Sequence, residues 1–215
     1  MANDLVEYRA NILATLKDTG TKYGTTEIDE AIRRILNEYS RVFPDITSYT
    51  HTVSTTGRTQ NLTLTDLISI IKLVHPYNSA LLDPDIYIRD DYRLIWKAGY
   101  PSLYFTNNPM PLVGDKVLIE YAKPQGIKDL DSITITTVRL DHKEILITGS
   151  AGICALNRSQ SLNETWGGLP GQVPTLMQWG SVLYRQFSEF LKQIRQEQNL
   201  NIFTKSKWNL DKWDK

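Results

Sequence analysis

The residues of this chain whose types could support chemistry are few. Cys154 is the only cysteine, and with His142 and Asp141 it offers the thiol, base and orienting carboxylate of a cysteine nucleophile. Their spacing works against that use. Twelve residues separate His142 from Cys154 within one helical pattern, roughly 18 Å along a helix axis, so the thiol reads as a small buried core group. The segment LDPDIYIRDD supplies Asp83, Asp85, Asp90 and Asp91, oxygen ligands of the kind calcium or magnesium prefers. It lacks the glycine and terminal glutamate of a calcium loop and reads as a solvated loop. His51 and His75 have no partner at ligand spacing. GGLPGQ at 167–172 has no lysine after it and no strand before it, so it does not cradle phosphate. The expectation is a protein without metal or cofactor that is not an enzyme.

Composition narrows the field further. Lysine plus arginine and aspartate plus glutamate each number 24 in 215 residues, a balance that argues against a dedicated nucleic-acid binder and leaves a local basic patch open. One cysteine excludes an intramolecular disulfide and a cysteine zinc cluster, and an intracellular or virion-internal setting fits. MANDLVEYRA carries an early acid and no apolar run, unlike a signal peptide. No stretch approaches the ~18 apolar residues of a membrane span.

The elements that must position any site follow from periodicity. Leu5, Tyr8, Ile12, Leu13 and Leu16 recur at helical spacing up to Asp18-Thr19-Gly20. A second helix is predicted after Gly24, with Thr26 as cap and Asp29 at its third position, and with Ile28, Ala31, Ile32, Ile35, Leu36 and Tyr39 as its apolar stripe. It ends near Phe43-Pro44, and the two helices read as an antiparallel pair. From Thr47 the pattern turns to strands: Tyr49–Ser54 and Thr59–Leu64 flank a turn as an expected hairpin. Leu67–Val74 fits a buried strand or a short helix, and Tyr92–Trp96, Ser102–Thr106 and Val117–Tyr121 complete a small antiparallel unit. Helical pattern returns with Val138–Leu156, where Gly149, Ala151, Gly152 and Ala155 leave room for another helix to approach closely. A polar loop is expected over 157–173, with Trp166 either folding back on the bundle or making a contact. Leu176, Trp179, Leu183, Phe187, Phe190 and Ile194 then step by three and four from a Pro174 start.

The predicted class is therefore α+β: a bundle of about four helices (1–46 and 129–198), an inserted antiparallel β unit (47–128), and an extended C-terminal arm (199–215). The arm holds KSKWNLDKWDK. Trp208 and Trp213 stand five apart, so a helix separates them by about 140° and a strand puts them on opposite faces. They read as two separate anchors for another molecule.

The order helix, helix, β unit, helix, loop, long helix, aromatic arm resembles the head-to-tail adaptor (connector) proteins of tailed double-stranded DNA bacteriophages. The resemblance is carried by IDEAIRRILNEYSRVFPDI, by THTVSTTGRTQNLTL leading into LISIIKLV, and by GYPSLYFTNNPMPLVGDKVLIEYAKP. VRLDHKEILITGSAGICAL and QWGSVLYRQFSEFLKQI complete it, over roughly residues 5–195. It implies a structural virion protein of the neck between capsid and tail, forming a twelvefold homo-oligomeric ring beneath the portal protein and above the tail tube or nozzle. DNA passes through the channel without sequence-specific binding. It also implies that the arm docks on the portal through Phe203, Trp208, Leu210 and Trp213, with Trp166 a candidate inter-subunit or tail contact. The long 157–173 loop and the LDPDIYIRDD segment depart from the pattern. Two other readings stand beside it: a glycan- or receptor-binding module with Trp96 and Tyr100 as a stacking platform, and a small metal-dependent enzyme on the aspartate segment.

Overall fold

The structure is a computed structural model that describes residues 3–19, 22–78, 87–164 and 171–208, with side chains described up to 197. Four helices and two three-stranded antiparallel sheets make up the described fold, an α+β arrangement as expected. It divides into two units: Met1–Phe43 with Gln125–Lys215, and Pro44–Pro124.

In the helical unit, α1 (Leu5–Thr15) starts where the Asp4 carboxylate accepts the Glu7 amide at 3.0 Å, satisfying one of the free donors of a helix start. Its Leu5, Tyr8 and Ile12 are buried. α2 (Thr25–Val42) begins one residue earlier than the expected Thr26 cap. Gly24 takes the cap position with extended backbone, and its carbonyl accepts the Ile28 amide at 3.1 Å. Asp29 is used elsewhere, receiving both Arg9 donors at 2.8 and 2.6 Å and so tying α1 to α2. The predicted stripe from Ile28 to Tyr39 is buried throughout.

α3 (Lys143–Glu164) follows a single 3-10 turn at Leu140–His142. It starts later than the expected Val138 and runs through residues 157–164, which were expected to be loop. Those residues contain no glycine or proline, the Gln160 amide donates to Glu164 at 3.0 Å, and Ser159 returns its hydroxyl to the Leu156 carbonyl at 2.7 Å. Helix therefore continues despite a polar composition.

α4 (Gln172–Trp208) is 37 residues long, and its helical backbone corrects the expected extended arm over 199–208. Neither proline nor glycine occurs after Gly180, so no residue there breaks the helix. Residues 209–215 lie outside the described residues.

The α3–α4 contact is set by glycine. A Cβ on Gly152 would stand 2.7 Å from the Tyr184 nitrogen and 3.0 Å from the Gly180 carbonyl oxygen, and one on Gly180 would stand 3.0 Å from the Ala155 Cβ. At Gly149 the neighbours are Phe187 Cγ at 2.8 Å and Ile35 Cδ1 at 3.1 Å. As α3 advances from 149 to 155 its partners fall from 187 to 180, so the two helices run antiparallel with backbones almost touching.

In the second unit, β1 (Asp45–Thr52), β6 (Lys116–Lys123) and β3 (Ser69–Val74) form one sheet in the order β1-β6-β3. The other sheet is β2 (Thr59–Asn61), β5 (Tyr100–Phe105) and β4 (Tyr92–Lys97) in the order β2-β5-β4. Leu73, Leu103, Phe105, Val117 and Ile119, all wholly buried, share one core with Val53 and Leu62. β4 and β5 form a two-residue hairpin at Ala98 (φ 50°) and Gly99 (φ 84°), the left-handed pair such a turn demands.

The expected hairpin of 49–54 with 59–64 does not form. β1 pairs with β6 over eight positions, whereas β2 pairs with β5. The turn residues between them are real but serve as a crossing: the buried Gln60 amide donates to the Thr55 and Gly57 carbonyls at 3.0 and 2.8 Å.

Residues 125–128, expected in the insert, belong with the helices. The Gln125 amide donates to the Ser40 hydroxyl at 2.9 Å, Ile127 is in the helical core, and the Lys128 carbonyl accepts the Leu5 amide at 3.0 Å.

One prediction follows from the glycine contact. Gly152→Ala should lower stability by up to about 2 kcal/mol, because overpacking of roughly 1–3 kcal/mol outweighs the gain in helix propensity of about 1 kcal/mol. Urea denaturation checks it, and an unchanged or raised midpoint would contradict the contact.

Candidate interaction surfaces

Among the described residues, the Cys154 thiol is buried in the core, while His142, Asp141 and Asp91 are each engaged by neighbours. Cys154 is wholly buried on α3, and burial, reinforced by the charge of Glu27, pushes its thiol up to about 12. His142 sits ahead of α3 in an aromatic nest. Its Nδ1 shares a hydrogen bond with the Tyr39 hydroxyl at 2.7 Å, and its ring meets Phe190 and Phe43 edge-on at 5.0 and 5.4 Å. Burial lowers its pKa, with the Asp141 charge opposing. Asp141 itself receives the Arg139 fork at 3.0 and 2.6 Å. What this cluster provides is a packed joint between α2 and α4.

In the aspartate segment, Asp83 and Asp85 lie outside the described residues. Asp91 takes two Arg89 donors at 2.5 and 2.6 Å, which hold its carboxyl below the usual carboxylate range. Arg89 also lies over the Phe105 ring at 5.6 Å. Among the described residues, no three histidine, cysteine or acidic side chains converge on a metal position. His51 is buried and its pKa is lowered by burial, against a hydrogen bond with Gln60. His75 is buried too, with Nε2 3.2 Å from Asp115 Oδ2.

Trp96 and Tyr100 are both exposed, but the register removes the platform they were expected to form. Trp96 pairs with Pro101 and Tyr100 with Lys97. Residues opposite one another share a face and neighbours alternate, so the two rings belong to opposite faces of the sheet.

Of the expected partner contacts, Trp166, Leu210 and Trp213 lie outside the described residues. Phe203 and Trp208 fall on the helical backbone of α4.

Two surfaces were not singled out from sequence. One is the tip between β5 and β6, TNNPMPLVG at 106–114, which contains no charged residue in a chain with 22% charged residues. That uncharged run with two prolines was the available signal. Met110, Leu112 and Val113 on it are 38%, 58% and 64% exposed. The other is a depression of about 520 Å³ between the end of α3 and the start of α4, walled by Leu156, Val173, Pro174 and Met177. It adjoins a second of about 430 Å³ running past Val182 to Arg185. Met177 is 57% exposed there.

No family model matches the chain, and no curated protein matches it. Among solved structures, the chain is similar to one from the neck of an empty GTA particle computed with C6 symmetry, at 14% identity and a TM-score of 0.33, over 68% of this chain and 74% of that chain. A likeness at that level carries no argument about function. No helix among the described residues is long and apolar enough to cross a membrane.

The buried imidazoles set an acid limit on stability. His142 and His51 both have folded pKa values below the unfolded value of about 6.5, so the unfolded chain binds more protons as pH falls. Stability should drop as pH is lowered from about 7 through 6.5, before carboxylates such as Asp91 begin to titrate. His142→Gln should be less stable at pH 7 yet flatter between pH 7 and 5 in thermal melts. A pH slope equal to that of the parent would contradict the assignment. Cys154→Ala should cost about 1 kcal/mol of stability, and the native thiol should resist an aqueous thiol reagent until the protein unfolds. Rapid modification of the folded protein would contradict its burial.

Proposed function

We propose that this chain is a structural protein of a virion neck, a head-to-tail adaptor that forms a ring beneath a portal, joins it to the tail, and lets DNA pass through its channel. Its role in this reading is assembly, not catalysis. The reading is supported by the sequence resemblance and by an element order that matches it: a helix pair, an inserted β unit, a small-residue helix and a long final helix.

The observation that carries it is the length of α4. Its last buried side chain among the described residues is Ile194, yet its backbone stays helical for fourteen more residues to Trp208, about 21 Å of additional helix. A helix of 37 residues that bears Phe203 and Trp208 near its end suits a docking element for a partner such as the portal.

The tail tube or nozzle is the partner proposed for the opposite side. Subunits of a ring meet head to tail through two different faces, which requires no internal repeat in the chain. The neutral overall charge fits a channel through which DNA must move, since strongly basic walls would hold its phosphates.

The test is co-sedimentation with portal. Removing residues 205–215 should leave the protein folded, with only the last turn of α4 lost from its circular dichroism, and abolish co-sedimentation, and the pair Trp208→Ala with Trp213→Ala should do nearly the same. Undiminished binding by both variants would show that the C-terminal segment is not the anchor. In light scattering the protein alone should be a monomer or weak oligomer. A stable large ring formed without portal would contradict that part of the proposal.

A further inference from the structure

The register that parts Trp96 from Tyr100 gathers a different set of side chains on one face of the β2-β5-β4 sheet. Arg93 stands opposite Tyr104, Ile95 opposite Ser102, and Lys97 opposite Tyr100. Opposed residues share a face and every second residue repeats it, so two cations, two tyrosines and an isoleucine line one side of the β4–β5 hairpin. That side is the outer one. Ile95 and Tyr100 are 41% and 60% exposed, and Arg93 and Lys97 are exposed as well, whereas Leu103 and Phe105 on the opposite side are wholly buried in the core. The two strands, their turn and the neighbouring β2 all lie among the described residues.

The free charges on this face are of one sign. Among the described residues neither Arg93 nor Lys97 has an acidic partner, and Asp91, next in the same alternation, is already taken by both Arg89 donors. At about 3.3 Å per residue, Arg93 and Lys97 stand roughly 13 Å apart along β4, each with a tyrosine about 5 Å across from it. The face therefore holds two cation–ring pairs, separated by a flat strip in which the Ser102 hydroxyl donates to Asn61 at 2.9 Å. A ligand that meets both pairs carries repeated negative charge and planar rings. An acidic peptide brings the charge without the rings, and a neutral glycan brings rings without the charge. A nucleic-acid duplex shows its phosphates but keeps its base faces inside the stack. A single strand offers phosphates and base faces together. A stacked strand advances ~3.4 Å per nucleotide, so the distance between the pairs matches about four nucleotides, at the lower end of the ~4–16 that strand-binding folds cover.

We propose that the outer face of the β4–β5 hairpin binds a single nucleic-acid strand without regard to sequence, with Arg93 and Lys97 on phosphates and Tyr100 and Tyr104 stacked on bases. The even charge of the whole chain leaves room for such a local patch, which needs only two cations free of acidic neighbours. Two phosphate contacts give a modest salt dependence, a slope of about −1.4 in log affinity against log salt for a single strand. The proposal goes beyond the assembly role and does not depend on it.

The test is fluorescence anisotropy of the full chain with a labelled strand of twelve thymidine nucleotides at low salt. The strand should bind, and binding should weaken with added salt at the slope given above. Arg93→Ala with Lys97→Ala should cost at least tenfold in affinity and flatten the salt dependence. Tyr100→Ala should cost at least fivefold and keep the slope, while Trp96→Ala, on the opposite face, should change neither. Each variant should keep the circular dichroism of the parent. As competitors, a duplex of the same length and a polyglutamate of equal charge should each be at least tenfold weaker than the unlabelled strand. No binding at several hundred micromolar protein, an equal loss with Trp96→Ala, or competition by duplex or polyglutamate as strong as by the strand would each overturn the proposal. The assay contains no portal, so its failure leaves the neck reading standing, and failure of co-sedimentation with portal leaves this proposal standing.

Discussion

Gly152 and Gly180 allow the backbones of α3 and α4 to meet with no side chain between them, and most of the helical unit depends on that approach. Because α4 is drawn in so far, Phe187 reaches the space left by Gly149, where Ile35 of α2 also arrives. One close crossing thus fixes three helices. α3 carries Lys143 at its start, whose ammonium lies 2.5 Å from the Glu7 carboxylate and 5.4 Å from the Tyr8 ring, so α1 is tied to α3 by a largely buried ion pair. Small residues at the crossing also leave α4 with a free outer side, on which Met177 and Val182 remain exposed.

The β unit solves a different problem. Its strands are short, and neither sheet could stand alone. Packing both around Leu73, Leu103, Phe105, Val117 and Ile119 gives them one core. The central strands β5 and β6 are joined by the 106–114 tip, so the most securely held part of the unit carries a loop without a charged residue. His75, Asp115 and Arg89 secure that loop from beneath. They are polar groups spent on holding apolar ones in water, an arrangement that makes sense when those apolar groups have a destination.

How much of this was legible in the sequence follows from range. The stripes of α2 and α4 are local and repeat over several turns, and the glycines of α3 announce a close approach without naming the partner. The pairing of β1 with β6 joins residues more than sixty positions apart, and no local pattern records it. The turn at Thr55–Arg58 suggested a hairpin that the longer ladder to β6 outcompetes. Polar residues 157–164 looked like loop because composition was read ahead of helix propensity and the Gln160–Glu164 pair. The arm was read as extended from the spacing of its tryptophans, although nothing in 199–208 breaks a helix. As for the surfaces, exposure is a property of packing, so Leu112 and Val113 could not be told from core residues except through the absence of charge around them.

A neutral chain with a long terminal helix and exposed apolar side chains at Met110, Leu112, Val113 and Met177 fits the assembly role proposed above. The adaptor reading states which contacts: portal through the C-terminal helix and its continuation, and neighbouring copies through the faces of the ring. Electron microscopy of the protein mixed with the portal of the same virion tests it most directly. The account predicts portal particles that gain a ring of additional density on one end, with twelvefold symmetry matching one copy per portal subunit. Portal particles unchanged at saturating protein, or density attached elsewhere than in a ring at that end, would contradict it.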